Sequence, residues 1–351
     1  SYFQLTLDKG RRCSSAVAYL KPARDRKNLT VITHAQAEKL LIKDGRTTGV
    51  TVNIKGTSQD IMARREVILS AGTIGSPQIL MLSGIGAAND LKQQGITVVH
   101  NLPGVGKNLQ DHLQARPIFK THLSTINIET NNLLKQGIIA LQYALTQTGP
   151  MTMAASLGTA FLKTDPTLDT PDIQFHIQPF SASAPADGPH KFSAFTASVL
   201  QMRPESTGHI ALKSADWRDH PAIHPNYLAT ELDQNTIVKG IQIARKIAQF
   251  EPLKANIIEE FIPGLGVAFD DYDATLTWAR DNSVTIYHPT GTCKMGQDDM
   301  AVVDARLRVH GIKGLRVADC SIMPTITSGN TNAPAIMIGE KLSDMVLADA
   351  K

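Results

Sequence analysis

Aromatic residues make up only 5% of this 351-residue chain, and lysine or arginine never runs longer than two in succession. That composition builds neither a stacking platform for nucleic-acid bases nor a basic strip for phosphates, so a nucleic-acid partner is excluded. The formal net charge of +3 implies no strongly charged scaffold either. Cysteine is scarce: Cys13, Cys293 and Cys320 lie far apart, with no C-x-x-C unit and no Cys/His cluster of zinc spacing. A disulfide framework is ruled out and no metal site is expected, which leaves reduced, buried thiols in a cytoplasmic protein. No apolar run approaches the length of a membrane span, so no transmembrane segment is expected, and no signal peptide is recognisable. A serine hydrolase is disfavoured by the lack of a G-x-S-x-G elbow. An initiator methionine is also missing. The start, Ser1-Tyr-Phe-Gln-Leu-Thr, reads as the inside of a strand, and a piece of a longer protein is expected.

What is present is an ordinary globular composition, 42% hydrophobic, in a chain long enough for two domains with cores of their own. Strands are expected at Tyr2–Leu7, Leu29–Thr33, Ala37–Ile42, Gly49–Ile54 and Glu66–Ser70, with a hairpin turn at Lys43-Asp-Gly-Arg46. Ser14 to Leu20 reads as a short serine-capped helix, and Ser76-Pro77 as the cap and first position of another. From about Ile118 the texture changes. Asn131–Thr148 is an amphipathic helix, and Asp172–Gln178 alternates, with Ile173, Phe175 and Ile177 on one face and Gln174, His176 and Gln178 on the other. Further strands at Phe192–Leu200 and His209–Leu212 complete the signature of an antiparallel sheet with one polar face. Helices at Gln234–Phe250 and Ala274–Asn282 follow, then a strand at Gly314–Asp319 and a closing helix at Ala333–Leu347. The expected fold class is therefore mixed, α/β merging into α+β. One domain comprises residues 1–115 and 285–351, and a second is inserted at 116–284. The Asn28-Leu-Thr30 sequon falls inside an apparent strand and carries no weight.

Three stretches carry chemistry. Tyr287-His-Pro-Thr-Gly-Thr-Cys-Lys-Met-Gly296 places His288 on a loop bounded by proline and glycine, where it is either a base or a structural turn cap. Thr327-Ser-Gly-Asn-Thr-Asn-Ala-Pro334 puts amide side chains and backbone N–H groups at the start of the last helix, and Asn332 is suited both to capping and to holding a substrate oxygen. Gly72-Thr-Ile-Gly-Ser-Pro-Gln-Ile-Leu-Met-Leu-Ser-Gly-Ile-Gly86 lets backbone come close to a flat ligand at Ala71-Gly72. Together these stretches resemble the glucose–methanol–choline family of FAD-dependent alcohol oxidoreductases.

The resemblance implies that 1–115 with 285–351 is a partial FAD-binding, Rossmann-like domain and that 116–284 binds substrate. It makes His288 the base that deprotonates a primary alcohol as hydride passes to the flavin. Asn332 stands where choline-type and alkanol-type members carry asparagine. Cofactor contacts are implied for Ala37, in the strand expected to meet the adenine, and for Ala71, Gly72, Asp319, Cys320, Asn330 and Ala333. Cys320 stands where a small residue would be expected. Asn101-Leu-Pro-Gly-Val-Gly-Lys-Asn-Leu-Gln-Asp-His112 also resembles the family, as a structural loop or a ligand contact, and His112 is not expected to be catalytic.

Two departures matter. No G-x-G-x-x-G follows a strand anywhere in the chain, so the usual grip on pyrophosphate and ribose is missing. The stretch by itself is expected to bind FAD weakly or not at all, and to be inactive. Second, Gly149-Pro-Met-Thr-Met-Ala-Ala-Ser-Leu-Gly-Thr-Ala-Phe161 places Leu157 where choline-type members carry glutamate, favouring an uncharged primary alcohol over choline. A truncated, non-catalytic remnant or interaction module of the same fold is the alternative. A nicotinamide-dependent dehydrogenase needs the same missing fingerprint. Oxygen, a quinone or a soluble carrier are equally open as electron acceptor, and a quinone route would bring peripheral association with the inner membrane.

Overall fold

The computed structural model describes residues 1–154, 156–183 and 188–350. Ala155, within the Gly149–Phe161 stretch, therefore lies outside the described residues. In chain order the principal elements are β1 (Ala35–Lys43), β2 (Arg46–Ile54), β3 (Thr57–Met62), β4 (Val67–Leu69), α1 (Gly72–Leu82), β5 (Leu113–Ala115) and β6 (Ile118–Thr121). There follow α2 (Leu133–Thr146), β7 (Gly158–Leu162), β8 (Ile173–Gln178), β9 (Ala194–Gln201), β10 (His209–Ala211) and β11 (Ala222–His224). The chain closes with α3 (Glu231–Ile247), β12 (Ile257–Ile262), α4 (Tyr272–Asn282), β13 (Leu315–Val317) and α5 (Asn332–Asp349). These elements fall into two compact units. One holds residues 1–29, 113–202 and 230–286, the other 30–112, 203–229 and 287–351.

This division differs from the sequence expectation at two places. Residues 1–29 go with the inserted segment because Phe3 N–H donates to Leu157 O (3.1 Å) and Thr159 N–H donates to Ser1 O (2.8 Å). Residues 203–229 go with the flanking segments because Leu109 N–H donates to Gly208 O (3.0 Å) and Ile210 N–H to Gly106 O (2.7 Å).

In the second unit, β1 and β2 form the expected hairpin, with Asp44 at φ 51° and Gly45 at φ 70°, and β3 extends the antiparallel ladder. The strand expected at Leu29–Thr33 is absent: those residues are exposed and enter no strand pairing among the described residues, and the sequon starts in a turn where Leu29 N–H donates to Arg26 O (3.0 Å). Helix α1 starts at Gly72, four residues before Ser76, and Pro77 stands inside it. A helical proline leaves the carbonyl four residues earlier without a donor. Here that carbonyl, Thr73 O, accepts from Thr292 Oγ1 at 2.6 Å, so the helix tolerates the proline. The core gathers Leu80, Ile85 and Leu91 with Val302, Val303, Leu315 and Val317, all essentially inaccessible to water.

In the first unit a seven-stranded antiparallel sheet runs β7-β8-β9-β6-β12, with β5 also on β9 and Val284–Thr285 on β5. β8 forms where expected, but its burial does not alternate: Gln174, His176 and Gln178 are buried along with Ile173 and Phe175, and Ile177 is exposed. Ile173 and Val199 pack on α3, where Gly240 permits the approach: a Cβ there would lie 2.8 Å from Val199 Cγ2. Thr230 caps α3 by accepting from Asp233 N–H (3.3 Å), and acids at its start with bases at its end suit its dipole. The expected strand at Tyr2–Leu7 shrinks to a two-residue pairing of Leu7–Asp8 with Arg11–Arg12, plus one bridge from Tyr2 to Gly158. The helix expected from Ser14 is present but opens as a π-turn, Ala16–Leu20, without a side-chain cap, and continues over Lys21–Ala23. Helix α2 is amphipathic as expected, yet Leu134, Ile138, Leu141 and Leu145 on its apolar stripe stay exposed.

Candidate active site

The site in the second unit is built where two parallel strands end together. β4 and β13 pair in parallel, Val67 opposite Leu315 and Leu69 opposite Val317, and Ala318 N–H continues the ladder to Leu69 O (2.8 Å). Both chains then turn out at the carboxyl ends, the usual place for a ligand in such sheets. The two turns are locked to each other by one carboxylate. Asp319 Oδ2 accepts from Gly72 N–H (3.0 Å) and Ser76 Oγ (2.5 Å), while its Oδ1 accepts from Ser321 N–H (2.8 Å). Gly72 has φ 78°, a conformation that side chains disfavour.

A third segment, the loop after Tyr287, is stitched to both turns. Thr73 Oγ1 donates to Pro289 O (2.7 Å), Gly291 N–H to Cys320 O (3.2 Å), Cys293 N–H to Ser321 O and Met295 N–H to Ile322 O (2.8 Å each). Gly291, at φ 92°, lies so close to Asn108 that a Cβ would sit 2.3 Å from its carbonyl oxygen. Three sequence segments thus make one rigid platform.

His288 stands on that platform, 8% exposed, after a Tyr287 that is 72% exposed and left-handed (φ 63°). Its backbone N–H donates to Asp111 Oδ1 (2.9 Å), and the same oxygen accepts from His112 N–H (2.9 Å). Tyr227 donates its hydroxyl to the other oxygen of Asp111 at 2.5 Å. The ring Nδ1 of His288 lies 3.0 Å from Nδ1 of the wholly buried His112, and its Nε2 lies 3.3 Å from Asn330 Nδ2.

The residues singled out by sequence are placed as follows. Ala71 and Gly72 form the exposed to half-buried turn at the start of α1, and Asp319 and Cys320 form the facing turn. Asn330 brings its amide to His288, whereas Asn332, two residues on, is the first residue of α5, followed by Ala333; both are exposed. Ala37 lies in β1 opposite Val52 and reaches this group only through its strand, where Leu40 N–H donates to Ser83 Oγ (2.8 Å) at the end of α1. Cys293 is fully buried, and burial, then the neighbouring Asp319, pushes its thiol pKa far up; Cys320 shifts the same way for the same reasons. Neither is a thiolate at neutral pH. Sequence reasoning missed Asp111, His112 and Tyr227. The only signal was the Asn101–His112 stretch, read as a structural loop or a ligand contact, with His112 not expected to be catalytic; Tyr227 left no signal.

Two models described as GMC oxidoreductase match the chain, one over residues 2–114 and one over 204–339. The chain is 39% identical over 352 residues to an alcohol dehydrogenase [acceptor] of Pseudomonas putida, covering 99% of this chain and 63% of that protein. It is 41% identical over 340 residues to an oxygen-dependent choline dehydrogenase of Cronobacter sakazakii, covering 96% of this chain and 60% of the relative. Among solved structures, a formate oxidase of Aspergillus oryzae superposes with a TM-score of 0.91 at 27% identity, over 98% of this chain and 64% of that one. A pyridoxine 4-oxidase of Mesorbium loti does so with a TM-score of 0.85 at 27% identity, over 98% and 63%. The chain belongs to the GMC oxidoreductase family. It spans less than two thirds of the length of these relatives, 63% and 60% for the two curated proteins.

Proposed function

We propose that these residues form the catalytic and substrate-binding part of an FAD-dependent oxidoreductase that converts an uncharged primary alcohol to its aldehyde. The observation that carries this reading is His288, held on three hydrogen-bonded segments with its Nε2 beside an amide. His288 Nε2 takes the hydroxyl proton while the C–H electron pair leaves as hydride, and the aldehyde remains. Asn332 holds the substrate oxygen in line. FAD, when bound, supplies the hydride acceptor.

The two turns fit a flat ring system. Ala71, Gly72 and Ala333 offer little or no side chain, and a Cβ added at Gly72 would meet nothing within 4 Å. Asp319 and Cys320 form the facing turn. Ala37 and Asn330 complete the proposed contacts, and α5 offers the positive end of its dipole. The dinucleotide fingerprint, in contrast, is not among these 351 residues. The 351-residue stretch by itself therefore holds FAD weakly or not at all and turns over no alcohol.

Substrate binding is assigned to the polar face of the first unit's sheet. Among the described residues, the buried polar groups there include Gln114, Gln174, Gln178, Thr159, Thr196 and Ser198, with His176, and none of these is a carboxylate. That favours a neutral alcohol over a quaternary ammonium, which needs a negative or aromatic partner. The choline- and alcohol-named relatives support the alcohol class, and the electron acceptor is left to experiment between oxygen and a quinone.

The test is a visible spectrum. In a polypeptide joining these residues to a segment that carries G-x-G-x-x-G, primary alcohols should bleach bound flavin, and His288→Ala should slow bleaching roughly 10²–10⁴-fold. Bound flavin that no alcohol reduces would favour the non-catalytic remnant. Near-stoichiometric flavin on the 351-residue chain alone would refute the claim that it binds weakly.

A further inference from the structure

Two buried histidines facing each other through Nδ1 constrain where protons sit. An amide nitrogen has only hydrogens to offer, so Asn330 Nδ2 at 3.3 Å meets a lone pair on His288 Nε2. The ring proton of neutral His288 is then on Nδ1, aimed at His112 Nδ1 only 3.0 Å away. His112 Nδ1 must accept, which places the His112 proton on its own Nε2. With the Asn330 amide nitrogen facing the ring, this contact sets both tautomers.

We infer that His112 is a positioning residue that holds His288 in its proton-accepting tautomer, and that Asp111, braced by Tyr227, fixes the pair. The inference rests on His288 being the base proposed above. A single oxygen, Asp111 Oδ1, accepts the backbone N–H of both His112 and His288, although these residues are 176 positions apart in sequence. The Tyr227 hydroxyl occupies the other oxygen, which keeps the carboxylate from swinging. Both imidazoles are therefore set by their backbones before any substrate arrives.

The consequence for the reaction is direct. When His288 Nε2 takes the alcohol proton, the ring becomes a cation whose Nδ1–H is a stronger donor. His112 already accepts that bond, so it stabilises the cation more than the neutral ring and raises the proton affinity of His288. The Asp111 carboxylate acts in the same direction. On the segments that carry the pair, Asp111 and Tyr227 bond to it or to each other, whereas Lys107 is turned to Asp90, Lys294 to Asp298, and Asp319 to Gly72, Ser76 and Ser321. Tyr287, Cys293 and Cys320 are neutral at pH 7, and the Asn330 N–H, by donating to the unprotonated Nε2, acts the other way. Tautomer control by a neighbouring acceptor is the usual way such a ring is oriented.

The experiment is ring-nitrogen NMR on the full chain labelled with ¹⁵N-histidine, His288 being assigned among the 11 histidines by His288→Gln. It needs neither flavin nor substrate, so it fails or succeeds independently of the alcohol reaction. Wild-type His288 should show Nδ1 protonated and Nε2 bare. In His112→Leu the proton should redistribute between the nitrogens, and the titration midpoint should fall by about one pH unit, a tenfold weaker proton affinity. His112→Asn, whose Oδ1 sits on Cγ as Nδ1 does, should restore the wild-type tautomer. In the flavin-loaded enzyme, the acid limb of kcat/KM should move down with the midpoint in His112→Leu and return in His112→Asn. A wild-type His288 protonated on Nε2 overturns the inference without any variant. So does a His112→Leu protein with unchanged tautomer and midpoint.

Discussion

The two units of this chain solve different problems with different means. In the second, the site stands on short irregular segments joined across long sequence separations: Asp319 to Gly72 and Ser76, Thr73 to Pro289, Asp111 to His288. Few of these groups have a substitute, because each satisfies a specific backbone donor or acceptor. In the first, a regular ladder from β7 to β12 displays side chains by alternation, and the backbone is satisfied whatever those side chains are. Single changes should therefore be severe in one unit and mainly alter selectivity in the other.

The strongest attack on that contrast is Gly291→Ala. It forces a side chain into a φ of 92° and puts Cβ 2.3 Å from Asn108 O, so the loop carrying His288 must shift. A loss of at least about 3 kcal/mol is expected in urea unfolding, with the midpoint falling and the slope unchanged. A midpoint within error of wild type would show that the loop is softer than its hydrogen bonds indicate. Next comes Asp319→Ala, which leaves Gly72 N–H and Ser321 N–H without their acceptor. About 2–3 kcal/mol should be lost, and FAD retention by the polypeptide joined to a G-x-G-x-x-G segment should fall with it. Asp319→Asn should recover part of the stability, since an amide oxygen can still accept. Equal losses for both variants would mean that the negative charge, not the geometry, is what matters.

How much of this was readable beforehand follows the same division. Two-residue periodicity located β8 but not its burial, since Gln174, His176 and Gln178 are buried and Ile177 is exposed; Asp44-Gly45 announced the hairpin, because local sterics decide a tight turn. His288, Gly72 and Asp319 were singled out because the long strings around them resemble the family. Asn330 was noted as a cofactor contact, but not as the amide beside His288 Nε2. Asp111 and Tyr227 went unnoticed because two backbone N–H groups converging on one carboxylate leave no periodic trace. The start of α1 was misplaced for a related reason. Ser76 looks like a cap, but its hydroxyl donates to Asp319, and Thr292 supplies the donor that Pro77 lacks. The strand at Leu29–Thr33 had the right composition but found no partner to pair with.

In the first unit, Leu157→Glu tests the other half of the comparison. Leu157 is only partly buried at the entry to β7, where its N–H donates to Ile177 O (3.0 Å), and a glutamate leaves that bond intact. Stability should change by less than about 0.5 kcal/mol. In the flavin-loaded polypeptide that joins these residues to a G-x-G-x-x-G segment, the ratio of kcat/KM for choline to that for an uncharged alcohol should rise roughly three- to tenfold, carried by KM. An unchanged ratio would remove Leu157 from the specificity argument, and a collapse of the fold would undo the contrast between the units.

The smallest effect comes from the periphery of the second unit, and it asks whether every polar contact there is indispensable. Arg316, buried on β13, donates to Glu66 (2.7 Å) and to Asp349 at the end of α5 (2.6 Å), and Arg306 also reaches Asp349 (2.6 Å). Arg316, then Arg306, holds the Asp349 carboxyl below its ordinary 3.8. A carboxylate with a lowered folded-state pKa contributes stability above its unfolded value and loses it as pH falls through the folded one. Asp349→Asn should therefore flatten the acid limb of stability below pH 3.8 while lowering the neutral-pH melting temperature slightly. Thermal melts from about pH 5 down to about pH 2 would show the two curves converging at the acid end. Parallel curves would assign the acid sensitivity to other carboxylates. A neutral-pH loss as large as that of Asp319→Ala would mean that the end of α5 belongs to the rigid platform.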